Sequence, residues 1–397
     1  MKINSQPLQD QQEALCQQAQ QFLQETVKDL PMFTIATRRD DLSELENHAD
    51  RFRDSFEDVV LLGTGGSSLG AKTLCALQET QSPRLHFMDN VDPHNFSRLF
   101  KTLNPNKTGF IVISKSGNTA ETLSQFLNCL QHWQKSLGQD KLPDHFLLIS
   151  EPTDNKLREL GNHYGLPHLD HPTDIGGRFS CLSLVGLLPA LIAGLDAAKV
   201  RSGAQKYLEA CVEGTQLAPQ QGAALAMSHE KTHPINVIMP YVDRLADFGM
   251  WYRQLWAESL GKEGRGITPV RAMGTVDQHS QLQLYLDGPK DKLFTVIELD
   301  TQGHGDTLTN TSIDYLEGHT LGDLLAAETK ATLETLKSHE CPTRHILLDK
   351  LDEDTLGSLF MHYMLETVLT AHLMGINAFD QPAVEQGKIL TREFLAA

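Results

Sequence analysis

Residues 61–70, LLGTGGSSLG, place a short apolar run directly before a turn that is rich in glycine and serine. The apolar run begins at Val59 and predicts a buried β-strand, while residues 68–77 predict a helix. A strand followed by a glycine-rich turn and a helix is typical of α/β sheets. Because the backbone N–H groups of such turns often bind phosphate, the segment predicts a fold class and a phosphate-bearing ligand.

The strand–helix alternation continues along the chain and predicts doubly wound parallel sheets. In the first half, strands are expected at 59–62, 85–88, 110–113 and 146–149, with helices at 68–77, 94–103, 119–135 and 155–164. Residues 180–195 are apolar almost all round and predict one buried helix. A second alternating region follows, with strands expected at 234–241, 291–299 and 344–350.

These patterns predict two α/β domains with helical extensions at both ends. An amphipathic helix is expected from 7 to 30, within an N-terminal helical segment at 1–44. The first α/β domain, which carries the phosphate-binding loops, is expected at 45–200. The second is expected at 201–397 and ends in a helix formed by FDQPAVEQGKILTREFL.

Charge and composition narrow the classes of partner and compartment. The chain has 397 residues and a net charge of −17, and a surface this acidic repels nucleic acid and anionic membranes. Its six cysteines show no C-x-x-C spacing, which favours a reducing compartment over a disulfide or zinc framework. The N-terminus has no signal-peptide pattern, and no apolar run approaches membrane-spanning length. We therefore expect a cytoplasmic protein.

Three ligands compete for the loop at 63–70. An ATP-binding P-loop is missed, because Ala71 separates Gly70 from Lys72 and puts the lysine out of register. A dinucleotide fingerprint lacks its third glycine, where Ser68 stands, although Asp89 follows the next strand as a ribose-binding acid would. The third candidate is a small phosphate held by backbone N–H groups and serine hydroxyls, and Ser67 and Ser68 fit that chemistry. A tight turn that binds nothing is the remaining alternative.

A second loop, SKSGNTAET at 114–122, favours the small phosphate. It also follows a predicted strand and opens a helix, and Ser114, Ser116 and Thr119 supply hydroxyls beside Lys115. Asn118 or Thr119 is expected to cap the helix. A helix cap explains one hydroxyl but not three beside a lysine, so two loops at adjacent strand ends predict a cradle for one phosphate.

The motifs together resemble the glucose-6-phosphate isomerase family of sugar isomerase (SIS) domains. The resemblance rests on SKSGNTAET (114–122), GTGGSSLG (63–70), DIGGRFSCLSLVG (174–186), WYRQLWAESLGK (251–262), GTVDQHSQLQLYLDGP (274–289) and FDQPAVEQGK (379–388). It implies two SIS-type domains and interconversion of an aldose 6-phosphate with a ketose 6-phosphate through ring opening and an enediol(ate). That chemistry needs neither a metal nor a cofactor, and none is expected.

The resemblance also assigns roles by position. Phosphate or sugar contacts are expected from Gly66, Ser67, Ser114, Lys115, Ser116, Thr119, Gln254 and Gln381, and catalysis from Arg178, Glu258, His279 and Lys388. In this scheme Glu258 moves the proton between C2 and C1, and Arg178 steadies the enediolate. His279 and Lys388 open the sugar ring, with His279 supplied by the neighbouring subunit of a homodimer.

Spacing alone leaves alternatives at each of these positions. Gln254 and Glu258 are four residues apart on one predicted helix and share a face, but Glu258 could equally pair with Lys262 on the surface. The run after His279 alternates like a strand. Lys388 could be an exposed lysine of a terminal helix, and Arg178 could satisfy a helix end or a buried carboxylate.

Other functions stay open at this point. His168, Asp170, His171 and Asp174 form a loose cluster, but their spacing is a poor match to a metal site. A regulator that binds a sugar phosphate would keep the two loops without needing Glu258, and a nicotinamide dehydrogenase would rest on Gly63, Gly65 and Asp89. Activity on both glucose and mannose 6-phosphates is a further alternative.

Overall fold

The computed structural model describes residues 1–4, 9–79 and 82–397. Residues 7 and 8, at the start of the first expected helix, lie outside this part of the chain. In chain order the strands are β1 (Lys2–Asn4), β2 (Asp58–Leu62), β3 (Arg84–Met88), β4 (Thr108–Ile113), β5 (Phe146–Ser150), β6 (His168–Asp170), β7 (Ile235–Pro240), β8 (Thr268–Arg271), β9 (Lys292–Leu299) and β10 (Thr343–Leu348).

The helices connect these strands in the alternation that the sequence predicts. They are α1 (Asp10–Glu25), α2 (Pro31–Thr34), α3 (Leu42–Ser55), α4 (Leu69–Cys75), α5 (Pro93–Thr102), α6 (Ala120–Leu137), α7 (Leu142–His145), α8 (Lys156–Tyr164), α9 (Leu184–Ile192), α10 (Ala197–Glu213), α11 (Ala218–His229), α12 (Ala246–Leu260), α13 (Leu282–Asp287), α14 (Leu321–Ser338), α15 (Glu353–Met374) and α16 (Glu385–Ala396). Across the described residues, no helix combines the length and apolar character needed to cross a membrane.

The first sheet brings the two predicted loops together. Its strands lie in the order β3-β2-β4-β5-β6 and all pair in parallel. Strands β2 and β4 are buried along their whole length, as expected for central strands made of continuous apolar runs. The chain leaves β2 towards β3 on one side and later returns to β4 on the other, so β2 and β4 flank the topological switch point where α/β sheets bind ligands.

The second sheet has the same winding with one addition. Its order is β1-β10-β9-β7-β8, in which β7 to β10 pair in parallel and β1 runs antiparallel to β10. The sequence therefore predicts β7, β9 and β10, but it misses β8 and the antiparallel edge strand β1, as it misses β6 in the first sheet. The boundaries expected at 44/45 and 200/201 lie inside α3 and α10, and the division into domains stays a prediction.

Two expected elements are wrong in detail. Residues 180–193 are buried as predicted, but the chain there forms a 3₁₀ turn, Gly177–Leu182, followed by the shorter α9, whose N-cap Ser183 accepts from the N–H of Val185. The run after His279 forms α13 rather than a strand. There Tyr285 is 3% exposed and packs on Phe294, so burial of one aromatic ring overrides the alternation of leucines.

Candidate active site

The first loop lies against two other segments of the site. After β2 the chain makes a 3₁₀ turn, Gly65–Ser67, and enters α4 at Leu69. A Cβ on Gly65 would lie 2.7 Å from Nε2 of Gln254, and one on Gly66 would lie 2.2 Å from the carbonyl carbon of Gly177. The glycines of this loop are therefore needed for close contact with α12 and with the turn that carries Arg178.

Lys72 does not point along the loop as a P-loop lysine would. Its Nζ lies 3.7 Å from Oδ2 of Asp89 and 3.6 Å from Oδ1 of Asp247. Asp89, the acid considered for a ribose, is thus engaged by a lysine. Among the described residues, the buried hydroxyl of Ser68 has no hydrogen-bond partner.

The second loop leaves the start of α6 open. Thr119 is the N-cap residue of α6, but among the described residues no side chain caps the first turn. The Ser114 hydroxyl donates to Oγ1 of Thr119 over 3.0 Å, and the Ser116 hydroxyl accepts from the N–H of Asn118 over 3.3 Å. Gly117 has a φ of 62° and fits closely over Asn155, where a Cβ would lie 1.9 Å from Oδ1. Helix N–H groups and hydroxyls therefore converge at the end of β4.

Lys115 is engaged by two protein groups. Its Nζ lies 3.4 Å from Oε1 of Glu151 and donates to the carbonyl of Thr173 over 3.1 Å. Its charge remains close to the loop, but its hydrogen bonds go to the protein. A phosphate would therefore have to compete with Glu151 for the charge of Lys115 and with the Thr173 carbonyl for its hydrogen bond.

Helix α12 carries the candidate base on a face that opens to the site. Trp251, Tyr252 and Trp256 are at most 1% exposed and fix the helix in the core. Nε2 of Gln254 donates to Oε1 of Glu258 over 3.0 Å, and the Glu258 side chain is 34% exposed. The shared face expected from their spacing is confirmed, and the alternative pairing of Glu258 with Lys262 is wrong.

Arg178 joins α12 to the C-terminal segment. Its guanidinium, in a side chain that is 3% exposed, donates from Nε to the Ser259 hydroxyl (2.9 Å) and from Nη1 to Glu258 (3.3 Å) and Gln381 (2.9 Å). Nη2 donates to the carbonyls of Ala378 (2.5 Å) and Asp380 (3.1 Å). Burial lowers the pKa of Arg178, and the neighbouring Glu258 opposes that shift, so the side chain keeps its charge.

The C-terminal helix faces the second loop. Pro382 opens a 3₁₀ turn, Pro382–Val384, which leads into α16, as the sequence predicts for a proline in a first turn. Ser116, Thr119 and Lys388 line one pocket of about 430 Å³ between this loop and α16. Lys388 is exposed and lies 2.6 Å from Oε1 of Glu385. The structure therefore brings Lys388 to the predicted phosphate cradle.

His279 lies in an exposed turn of the predicted second domain. It ends a 3₁₀ turn, Val276–His279, and is exposed. Asp277 holds the turn by accepting from the N–H of Met273 and the hydroxyl of Ser280, each over 2.6 Å. Within the described residues, none of the hydrogen bonds joins His279 to Glu258, Arg178 or Lys388.

Two residues of the site have no place in the sequence prediction. Ser259 is fully buried and accepts from Arg178, and Lys262 binds the segment after α15. Both residues lie in AESLGK, directly after Glu258, so the sequence could have pointed to them. The four-residue spacing suggested Glu258 as the partner of Lys262 instead. Two members of the cluster considered for a metal have protein partners nearby. Asp170 pairs with Arg158, and Nδ1 of His171 lies 2.8 Å from the Pro172 carbonyl.

Comparisons with known proteins agree on one family. A family model described as phosphoglucose isomerase matches residues 47–396. A probable glucose-6-phosphate isomerase of Methanococcus maripaludis is 37% identical over 355 residues, which cover 87% of this chain and 80% of the relative. A glucose-6-phosphate isomerase of Rubrobacter xylanophilus is 38% identical over 361 residues, 86% and 84% of the two chains. The crystal structure of a hypothetical protein from Thermus thermophilus has a TM-score of 0.91 at 34% identity, covering 100% of both chains.

Proposed function

This chain belongs to the phosphoglucose isomerase family, and we infer from that membership and from the site that it interconverts glucose 6-phosphate and fructose 6-phosphate. One observation carries the inference furthest. Glu258 lies between an amide donor, Gln254, and a buried cation, Arg178, beside a glycine-rich loop at a sheet's switch point. Such a carboxylate can take a proton from a carbon whose neighbouring oxygen becomes negative.

We propose that the phosphate binds where the loops after β2 and β4 meet. The uncapped first turn of α6 supplies N–H groups and the positive end of the helix dipole. The hydroxyls of Ser114, Ser116 and Thr119 lie in the same loop, and we propose that they and the Ser67 hydroxyl bind the phosphate. Because Lys115 is bonded to protein groups, its contribution is its charge, which offsets locally the net charge of −17.

We propose that Glu258 carries the proton between C2 and C1 while Arg178 stabilises the enediolate. All five N–H donors of Arg178 are already hydrogen-bonded. The two bonds from Nη1 go to the side chains of Glu258 and Gln381, and we propose that these bonds exchange for a substrate oxygen. The other three bonds keep the cation in place.

Ring opening is assigned to Lys388 and His279. Lys388 lines the pocket that also contains Ser116 and Thr119, within reach of a sugar anchored by its phosphate. His279 lies on the surface together with Val276, which begins the same 3₁₀ turn and is 65% exposed. We propose that this surface meets a second copy of the chain in a homodimer, so that His279 completes the partner's site.

A mixing experiment tests the shared site. Glu258→Gln and His279→Ala variants are each expected to be inactive, but a hybrid dimer would contain one site with both residues intact. Mixed and re-associated subunits should recover about a quarter of wild-type activity. Mixtures that stay inactive, although hybrids are shown to form, would place His279 in the site of its own chain or outside any site.

The reaction itself is tested by a coupled assay. Purified protein receives fructose 6-phosphate, and glucose 6-phosphate is measured with a nicotinamide-linked dehydrogenase. Turnover is expected, and its absence in folded protein would overturn the proposed function. Mannose 6-phosphate in a parallel assay decides whether the enzyme has dual specificity. The assay belongs at neutral pH under reducing conditions, since the six cysteines are buried and unpaired and we propose the cytoplasm as its compartment.

A further inference from the structure

The segment 377–381 connects α15 to α16 and is held by two cations from different elements. We call this segment the strap. Arg178 donates to the carbonyls of Ala378 and Asp380 and to the side chain of Gln381. Lys262, just beyond the end of α12, binds the other side of the strap. The two cations therefore tie the strap to the helix that carries Glu258 and to the turn that carries Arg178.

Lys262 is largely buried and fully hydrogen-bonded, unlike a surface lysine. Its side chain is 10% exposed, and its Nζ lies 3.0 Å from Oδ1 of Asp380. The same Nζ donates to the carbonyl of Ser259 over 3.2 Å and to the carbonyl of Asn377. An ammonium group has three N–H donors, so all of them are used, one on α12 and two on the strap.

The position of Lys388 depends on the strap, because α16 buries none of its residues against the rest of the chain. Within α16 no residue is buried, and Ile389, Phe394 and Leu395 are 52%, 77% and 81% exposed. A helix without a buried face owes its position to its attachment, which here is the strap and the short 3₁₀ turn that follows. A shift of the strap would move Gln381 and Lys388 relative to the second loop.

We propose that Lys262 is a positioning residue that, through Asp380 and the strap, places Lys388 and Gln381 for the ring-opening step. The inference rests on the proposed function. It predicts that the loss of the Lys262 ammonium lowers the rate of turnover more than it weakens binding of the phosphate, because the first turn of α6 and its hydroxyls are held by contacts within their own loop. Misplacement of a catalytic group by about 1 Å lowers rates by roughly a hundredfold.

The test compares three variants with a matched control. Lys262→Met removes the charge at similar length, Lys262→Arg keeps it, and Asp380→Asn removes only the carboxylate of the exposed partner. Lys199→Met serves as the control, since Lys199 on α10 is 65% exposed and pairs with Asp196, the N-cap residue of the same helix. Each variant is measured for kcat and KM with fructose 6-phosphate, and for the rate of tryptic cleavage after Lys388 and Arg392.

Lys262→Met should lower kcat by about ten- to a hundredfold with KM within about threefold, and cleavage in α16 should become faster. Lys262→Arg should recover most of kcat. A kcat within twofold of wild type, or a loss of kcat that Lys262→Arg does not recover, would overturn the proposal. If Lys262→Met does not fold, Asp380→Asn decides by the same criteria. An inactive wild type would contradict the proposed function instead, while the cleavage rates still report whether Lys262 holds the strap.

Discussion

The side-chain amide of Gln254 donates to the carboxylate of Glu258 across one turn of α12, with Nε2 and Oε1 3.0 Å apart. The other carboxylate oxygen accepts from Arg178 over 3.3 Å. Each oxygen of Glu258 thus has one donor that fixes its direction, while about a third of the side chain remains exposed to the cleft. The proposed proton transfer needs such a carboxylate, held in direction but open to a ligand.

Replacing Glu258 by glutamine should lower kcat by about a thousandfold. The amide keeps the size and the hydrogen-bonding reach of the carboxylate but cannot accept a proton, so KM should stay close to the wild-type value. Steady-state kinetics with fructose 6-phosphate measure both. Glu46→Gln, on the exposed face of α3, is the matched control. Comparable kcat values in the two variants would remove Glu258 from the proton transfer.

Gly66→Ala should disturb both stability and activity. The added Cβ would lie 2.2 Å from the carbonyl carbon of Gly177 and 2.6 Å from the backbone nitrogen of Arg178, so the first loop and the Arg178 turn would have to separate. We expect the free energy of unfolding to fall by about 1–3 kcal/mol and kcat to fall as Arg178 moves.

Gly176→Ala provides the control for this change. A Cβ on Gly176 would meet only Cδ2 of Phe179, at 3.6 Å, which is an ordinary contact. Urea denaturation and kcat are measured on both variants. If Gly66→Ala behaves like Gly176→Ala, the close approach of the two turns is not needed for the site.

Arg178→Lys should be strongly impaired even though it keeps the positive charge. Lysine has three donors where the arginine uses five, so buried acceptors among Ser259 and the strap carbonyls are left without a partner. Each one costs about 1–3 kcal/mol of stability, and kcat should fall by about a hundredfold. The exposed Arg98→Lys is the control, and equal stability and kcat in both variants would refute a donor role for the guanidinium.

A histidine in the core should make the protein less stable in acid. His362 is fully buried on α15, with Nδ1 2.8 Å from the Tyr207 hydroxyl and Nε2 3.0 Å from Glu366. Burial lowers the pKa of His362 below its ordinary value of 6.5, against the opposing effect of Glu366. The unfolded chain therefore binds this proton more tightly, so the stability from His362 is present above the unfolded pKa and is lost as pH falls below it.

Unfolding free energies measured between pH 7.5 and pH 5 test this contribution. His362→Gln should show a shallower loss of stability than the wild type, by at most about 1.4 kcal/mol per pH unit for one proton. Other histidines with lowered pKa values, such as His171, contribute equally to both proteins. Parallel curves for the wild type and the variant would contradict the assignment.

Local features of the fold and of the site follow from the sequence. Strands β2, β4 and β5 are largely apolar runs that are buried throughout, and such runs leave few alternatives to a buried strand. The hydrogen bond between Gln254 and Glu258 follows from their four-residue spacing, because helix geometry alone puts such side chains together. These predictions are confirmed because each depends on neighbours in the chain.

Contacts between distant segments could not be predicted in this way. The carbonyl of Ala378 lies 200 residues from Arg178, and their hydrogen bond depends on how the two sheets and their helices pack. Lys262 shows the same limit, since spacing favours Glu258 as its partner, but its ammonium instead donates to the carbonyls of Ser259 and Asn377 and pairs with the carboxylate of Asp380. The three-residue strand at the N-terminus is too short to leave a pattern.

The most direct measurement follows the proton itself. Fructose 6-phosphate is incubated with the enzyme in deuterium oxide, and deuterium at C2 of the glucose 6-phosphate formed is measured by NMR. Proton transfer through an enediolate at Glu258 predicts deuterium at C2 with the wild type, and exchange about a thousandfold slower with Glu258→Gln. Product formed without any deuterium, or exchange at the wild-type rate in Glu258→Gln, would contradict the account.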